Sequence, residues 1–118
     1  MSKGFEDLEV WQLAVKFSIK IYAITDKFPK TEQFGLTNQI RRSSVSIASN
    51  IAEGSAKGSN ADFARFVGIS QGSTAEIKTQ LVIAKGVGYL GENYYIELID
   101  YTDRIAQMLK KLRQSLTK

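Results

Sequence analysis

Lysine and arginine are the side chains of this sequence best suited to binding chemistry, because they number 16 against 12 acidic residues, for a formal net charge of +4. Cations within reach of one another bind the phosphate backbone of RNA or DNA. The alternative is a solvated surface whose cations pair with nearby acids or stabilise the end of the last helix. The candidate nucleic-acid contacts are Lys16, Lys20, Lys27, Lys30, Arg41, Arg42, Lys110, Lys111, Arg113 and Lys118.

The composition lacks two residue types that are common in catalytic sites, since the chain has no histidine and no cysteine. The usual general base, the commonest metal ligand and the thiolate nucleophile are therefore missing. The glycines at positions 86, 88 and 91 lack the lysine and hydroxyl of a phosphate-binding loop. We predict that the protein is not an enzyme and has no cofactor, no metal site and no small-molecule substrate.

Aromatic rings could stack on the bases of single-stranded nucleic acid only if they were exposed. Trp11 and most of the tyrosines fall on or near apolar stripes, which indicates packing rather than base stacking. Tyr95 is the best candidate for an exposed ring.

Four segments with helical periodicity must position these residues, at about 6–27, 34–57, 60–87 and 92–116. They are separated by Phe28-Pro29, by Gly58 and by the stretch from Gly88 to Gly91. Ser59 with Asp62 three residues later is typical of a helix start. Because short loops join antiparallel neighbours, the sequence predicts one all-α domain over 1–118, an antiparallel up-down four-helix bundle.

The first segment has more apolar surface than a helix at the corner of a lone bundle needs. Beside its core stripe runs a second apolar line, so that apolar residues cover roughly two thirds of its circumference. Exposed together, the residues of this line would form a patch of the kind that marks an interface. The alternative is that the N-terminal segment or a loop covers them. The predicted oligomer interface consists of Leu8, Trp11, Val15, Ile19 and Tyr22.

Small and polar residues in the middle segments indicate close helix packing. Gly68 and Gly72 lie inside the third segment, where glycine costs up to about 1 kcal/mol against alanine, so tight packing should compensate. In the second segment Asn50, Glu53 and Gly54 are interpreted as structural. Asn50 should bond backbone or a serine across the bundle, and Gly54 should permit close approach. Glu53 could pair with an arginine of the same segment, Arg41, in the same chain or across an interface.

The second segment also carries a recognisable string over 36–54, LTNQIRRSSVSIASNIAEG, with DLEVWQ near the start, DFARF at 62–66 and GYL at 88–90. On these residues the chain resembles the bacterial four-helix bundle proteins encoded by intervening sequences in 23S ribosomal RNA genes, also called S23 ribosomal proteins. It is similar as well to the accessory variability protein of diversity-generating retroelements. The resemblance implies a ring-like homopentamer and, through the second group, nucleic-acid binding.

These observations lead to one functional prediction and one alternative. We predict a homo-oligomer that binds RNA or DNA without sequence preference through basic surfaces. The alternative is a protein–protein interaction or assembly module with no nucleic-acid role. A polar, acidic start unlike a signal peptide, the lack of any run of 18 apolar residues and the absence of cysteine predict a cytoplasmic protein without a membrane partner.

Overall fold

The computed structural model describes residues 4–117, which form four α-helices and no strand. The helices are α1 (Glu9–Thr25), α2 (Leu36–Ser55), α3 (Asn60–Gly86) and α4 (Glu92–Leu116). Each helix packs against its neighbours in the chain, and α4 closes the bundle against α1. The predicted all-α, antiparallel up-down four-helix bundle is confirmed. No helix within the described residues is long and apolar enough to cross a membrane.

The core is built from one apolar stripe on each helix, repeated at three- and four-residue spacing as the helical period requires. Removing such a side chain from water contributes about 1.5–3 kcal/mol. The largest completely buried side chains are Phe17 and Ile21 on α1, Ile40, Ile47 and Ile51 on α2, Val67, Ile77 and Leu81 on α3, and Leu98, Thr102, Ile105 and Leu109 on α4.

The ends of the first two helices differ from those predicted. α1 begins at Glu9 rather than residue 6, because Gly4–Asp7 forms a separate 3-10 turn. It ends at Thr25, and Phe28 turns back to bury its ring against Tyr89, with ring centroids 5.7 Å apart. α2 begins at Leu36 rather than residue 34, because the Glu32 carboxylate accepts the Leu36 amide at 3.1 Å.

The third and fourth helices lie close to their predicted ranges. α3 begins at Asn60 and ends at Gly86, one residue before the predicted end, and α4 spans Glu92–Leu116. The Ser59 side chain accepts the Asp62 amide at 3.1 Å, so the predicted capping of α3 is present. Gly58 has a φ of +87° in the preceding turn, a conformation that favours glycine.

Candidate functional site

An apolar groove lies between α1 and α2 and encloses about 580 Å³. Within residues 4–117 no charged residue lines it, and the polar side chains of the lining besides the aromatic rings are two serines. Ile19 is 67% exposed, Tyr22 46% and Val45 41%, so much apolar surface faces solvent. We call this surface the α1–α2 groove. Its lining residues are Phe5, Trp11, Val15, Ser18, Ile19, Tyr22, Val45, Ala48, Ser49 and Ala52.

Helical spacing on both helices creates the groove. Trp11, Val15, Ile19 and Tyr22 follow one another at three or four residues along α1, beside the stripe that enters the core. On α2, four residues form the facing wall, and two of them are alanines, whose side chains are small. The α2 wall consists of Val45, Ala48, Ser49 and Ala52.

The N-terminal turn covers one end of the groove and leaves the other open. The Phe5 ring packs edge-on against Trp11, with centroids 5.2 Å apart. Leu8 is half-buried against the core and does not line the groove. Ile19 and Tyr22 are exposed, so among residues 4–117 the alternative of an N-terminal cover applies only near Trp11. Of the predicted interface residues, Leu8 therefore packs against the core, whereas the other four line the groove.

Arg41 lies against the end of α1 rather than on a free basic surface. Its guanidinium stacks on the Tyr22 ring at 4.7 Å, Nε donates to Thr25 Oγ1 at 2.9 Å, and Nη2 donates to the Tyr22 carbonyl at 3.3 Å. This position places a cation at the negative end of the α1 dipole. A pairing with Glu53 of the same chain is wrong, since the two residues are about 18 Å apart along one helix.

Three more of the predicted cations have partners in the structure. Lys20 Nζ donates to Glu97 Oε2 at 2.6 Å, and this hydrogen bond raises the pKa of the Lys20 ammonium although desolvation opposes it. Lys27 Nζ lies 5.9 Å from the centre of the Tyr94 ring. Arg113 Nη1 donates to Gln71 Oε1 at 2.9 Å.

The remaining candidate cations are exposed and form no ion pair within residues 4–117. They do not form one patch, because the topology puts the end of α1 and the end of α4 at opposite ends of a molecule 43 Å long. Lys118 lies outside the described residues. The unpaired cations are Lys16 on α1, Lys30 and Arg42 near the start of α2, and Lys110 and Lys111 near the end of α4.

The residues interpreted as structural lie on α2. Asn50 Nδ2 donates to the Ser46 carbonyl at 2.8 Å and to Ser46 Oγ at 2.9 Å, and Ser46 Oγ bonds Ser73 Oγ on α3 at 2.8 Å. Gly54 is buried, and a Cβ added to it would lie 2.5 Å from the Phe66 Cβ. Glu53 is exposed.

Two expectations about surface residues are wrong. Gly72 has nothing within 4 Å of an added Cβ, so close packing does not account for it. Tyr94, not Tyr95, is the exposed aromatic ring of α4, at 45% exposure. Tyr95 packs against the core, with Lys85 Nζ 4.5 Å from its ring centre. In residues 4–117, no group of three or more acidic side chains is arranged to hold a metal ion.

Sequence reasoning found the α1 half of the groove and missed the α2 half. The available indication was a second apolar line on α2, Val45, Ala48 and Ala52, next to the core stripe of Ile47 and Ile51. Two of its members are alanines, which weakens their contribution to any apolar pattern. The remaining wall comes from the 3-10 turn that precedes α1, and its position has no periodic signal in the sequence.

Comparison with known proteins gives a family and several solved chains with a similar fold. A family model described as 23S rRNA-intervening sequence protein matches residues 6–111. The fold is similar to a crystal structure from Bacteroides thetaiotaomicron VPI-5482, of a protein with unknown function from the S23 ribosomal protein family. The TM-score is 0.81 at 23% identity, covering 89% of this chain and 95% of that one. No curated protein matches the sequence.

Proposed function

The chain belongs to the 23S rRNA-intervening sequence protein family, and from this premise we propose that it is a non-enzymatic protein whose copies associate through the α1–α2 groove. The observation that carries the proposal is the open part of the groove, where Ile19, Tyr22 and Val45 are exposed together. Among residues 4–117 no charged side chain belongs to the lining, and the nearby Arg41 guanidinium lies over the Tyr22 ring. Removing apolar surface of this extent from water lowers the free energy, and so favours association.

A second copy of the chain is the occupant we assign to the groove. An uncharged lining favours an apolar partner surface, and the chain itself carries such surface elsewhere. Ile83 and Val87 are 50% and 56% exposed at the end of α3. The ring-like homopentamer implied by the family resemblance would use contacts of this kind, repeated around the ring.

Replacing Ile19 tests the assembly. Ile19→Lys puts a charge in the open part of the groove, and we expect it to lower the solution mass from that of an oligomer to that of a monomer. Because Ile19 is 67% exposed and lysine is a good helix former, the helical circular dichroism spectrum should not change. Light scattering at micromolar concentration gives the mass.

Ile19→Leu is the matched control, since it keeps the groove apolar and should retain the assembly. The proposal would be contradicted if the wild-type protein were a monomer, or if Ile19→Lys assembled as the wild type does.

Nucleic-acid binding is a second candidate function, and the observation that favours it is the set of exposed cations that form no ion pair with residues 4–117. The chain has a net charge of +4, and five of its cations are available to phosphate groups: Lys16, Lys30, Arg42, Lys110 and Lys111. A single chain holds them at separate places, but a symmetric assembly would repeat each group several times on one particle. Repetition raises the local positive potential and favours sequence-independent binding to RNA or DNA.

The salt dependence of binding tests this second function. The affinity for mixed-sequence RNA and DNA should fall with rising salt, and each lost phosphate contact should reduce the logarithmic slope by about 0.7–0.9. Lys110→Gln combined with Lys111→Gln should therefore weaken binding and flatten the slope. Fluorescence anisotropy over a series of salt concentrations measures both quantities.

The matched control is Lys78→Gln combined with Lys85→Gln, which removes the same charge from lysines already paired with Asp103 and Glu92. The affinity of this variant should be closer to that of the wild type than the affinity of the Lys110→Gln, Lys111→Gln variant is. Absence of binding at low salt, or an affinity that ignores salt, would exclude the nucleic-acid function. Assembly that persisted in that case would favour a protein interaction module.

A further inference from the structure

A second, polar cavity lies at the end of the bundle, where the chain passes from the end of α1 to the start of α2. It encloses about 350 Å³ and is separate from the α1–α2 groove, with which it shares no lining residue. We call it the end cleft. Its lining residues are Thr25, Asp26, Phe28, Pro29, Lys30, Gln33, Thr37 and Arg41.

Arg41 enters the end cleft with its guanidinium already oriented. Nε and Nη2 donate to Thr25 Oγ1 and to the Tyr22 carbonyl, and Thr25 Oγ1 in turn donates to the Ile21 carbonyl at 2.7 Å. Thr25 is 2% exposed, so this arrangement is held by a buried side chain. Nη1 makes no hydrogen bond within residues 4–117 and remains available as a donor. Because the other two nitrogens already fix the guanidinium, binding a ligand would cost little additional side-chain entropy.

Thr37 supplies an unsatisfied buried hydroxyl on the α2 side of the end cleft. The residue is 6% exposed, and its Oγ1 has no hydrogen-bond partner in the described part of the chain. A buried polar atom without a partner is rare in folded proteins and calls for an explanation. The Thr37 hydroxyl oxygen is itself buried from solvent, so a bound anion would satisfy it once the side chain turns to expose Oγ1 to the cleft.

The electrostatics of the end cleft favour a negative ligand. Lys30 is exposed and unpaired among residues 4–117, and with Arg41 it outweighs the single carboxylate of Asp26. Thr37 also belongs to the first turn of a 20-residue helix, where backbone amides lack acceptors within the helix. The positive end of the α2 dipole meets the negative end of the α1 dipole at Thr25 and Asp26, so the two cations of the lining supply the attraction. The Leu36 amide is already bonded to Glu32, which does not line the cleft.

We propose that the end cleft binds a phosphoryl group, with Arg41 Nη1 and Lys30 Nζ contacting its oxygens and Thr37 Oγ1 donating a hydrogen bond. The Gln33 amide lines the same cavity and is a further donor. This inference deepens the nucleic-acid function and rests on it only for the source of the phosphate, which is either a nucleic-acid backbone or a free phosphate. It does not depend on self-association.

Titration with inorganic phosphate, followed by nuclear magnetic resonance at constant ionic strength, tests the end cleft. We expect saturable shifts of the Thr37 backbone amide and of the Arg41 Nε–H group. Lys30→Gln should weaken the phosphate affinity about tenfold, and Thr37→Val about threefold. Asp26→Asn should strengthen it about threefold, because it removes the only carboxylate in the lining.

The controls separate the end cleft from general charge. Lys57→Gln removes the same charge beyond the other end of α2, at a residue outside every proposed binding set, and should leave the phosphate affinity unchanged. Thr37→Ser keeps the hydroxyl and should bind as the wild type does. Absence of saturable shifts overturns the proposal. Equal affinity in the wild type, Lys30→Gln and Thr37→Val overturns it as well.

A 5′-phosphorylated single-stranded oligonucleotide distinguishes the two sources of phosphate. If it shifts the same two groups and Lys30→Gln weakens its binding, the end cleft takes a backbone phosphate. If inorganic phosphate alone binds, the end cleft stands as a site for a free phosphate. The salt-series experiment on Lys110 and Lys111 then decides separately whether the nucleic-acid function fails.

Discussion

Two glycines inside long helices show how differently the same residue type can be used. Gly54 is buried on α2 where α3 crosses closely, and an added Cβ would lie 2.5 Å from the Phe66 Cβ and 3.2 Å from Phe63 Cδ1. Gly72 is exposed on α3, with nothing within 4 Å of an added Cβ. The close packing of α2 on α3 therefore requires glycine at position 54, whereas no packing contact requires glycine at position 72.

Alanine substitutions at these two positions should therefore have opposite effects on stability. Gly54→Ala should lower the free energy of unfolding by about 1–3 kcal/mol, because the two helices would have to move apart. Gly72→Ala should raise it by up to about 1 kcal/mol, since alanine is the better helix former and has room. Urea denaturation followed by circular dichroism measures both, and changes of the same sign would contradict this account.

At the scale of the helices, the core stripes and the up-down order could be predicted from the sequence. Phe17 and Ile21 on α1, and Ile105 and Leu109 on α4, are completely buried and stand one helical turn apart in each pair. Such a periodicity relates neighbours within one helix, so recognising it requires no knowledge of how the helices pack. Short connections between the helices then restrict the order in which they can be arranged.

The helix ends that were missed depend on residues far apart in the chain. Glu32 accepts the Leu36 amide with one carboxylate oxygen and the Tyr89 hydroxyl with the other, at 3.0 Å. The bond to Glu32 also raises the pKa of the Tyr89 hydroxyl. Because Tyr89 lies 57 residues beyond Glu32, no local pattern could show that this turn is fixed and that α2 begins only at Leu36.

The candidate surfaces were predictable only where one helix carries the information. The α1 wall of the groove follows from the excess apolar surface of a single helix, whereas its α2 wall requires the two helices to be placed side by side. The pairing of Lys20 with Glu97 and the stacking of Arg41 on Tyr22 join residues on different helices. The end cleft likewise exists only once α1 and α2 are packed together.

At the scale of the whole molecule, the proposed assembly constrains which surfaces can meet. A closed ring with an odd number of copies cannot be built from two-fold contacts, so the groove of one copy must receive a different surface of the next. Ile83 and Val87, one turn apart near the end of α3, are a suitable apolar partner, and we call them the α3 ridge. They lie outside the α1–α2 groove.

Mixing two variants tests this head-to-tail arrangement. Ile19→Lys disables the groove, and Ile83→Lys combined with Val87→Lys disables the α3 ridge, so each protein alone should be a monomer. In an equimolar mixture, the intact ridge of the first should enter the intact groove of the second. Association then stops at a heterodimer of twice the 13.1 kDa chain mass, because the two surfaces left over are both disabled. Ile96→Lys, on an equally exposed residue of α4, should assemble as the wild type does. A ridge variant that kept the wild-type mass in light scattering would show that the groove receives some other surface.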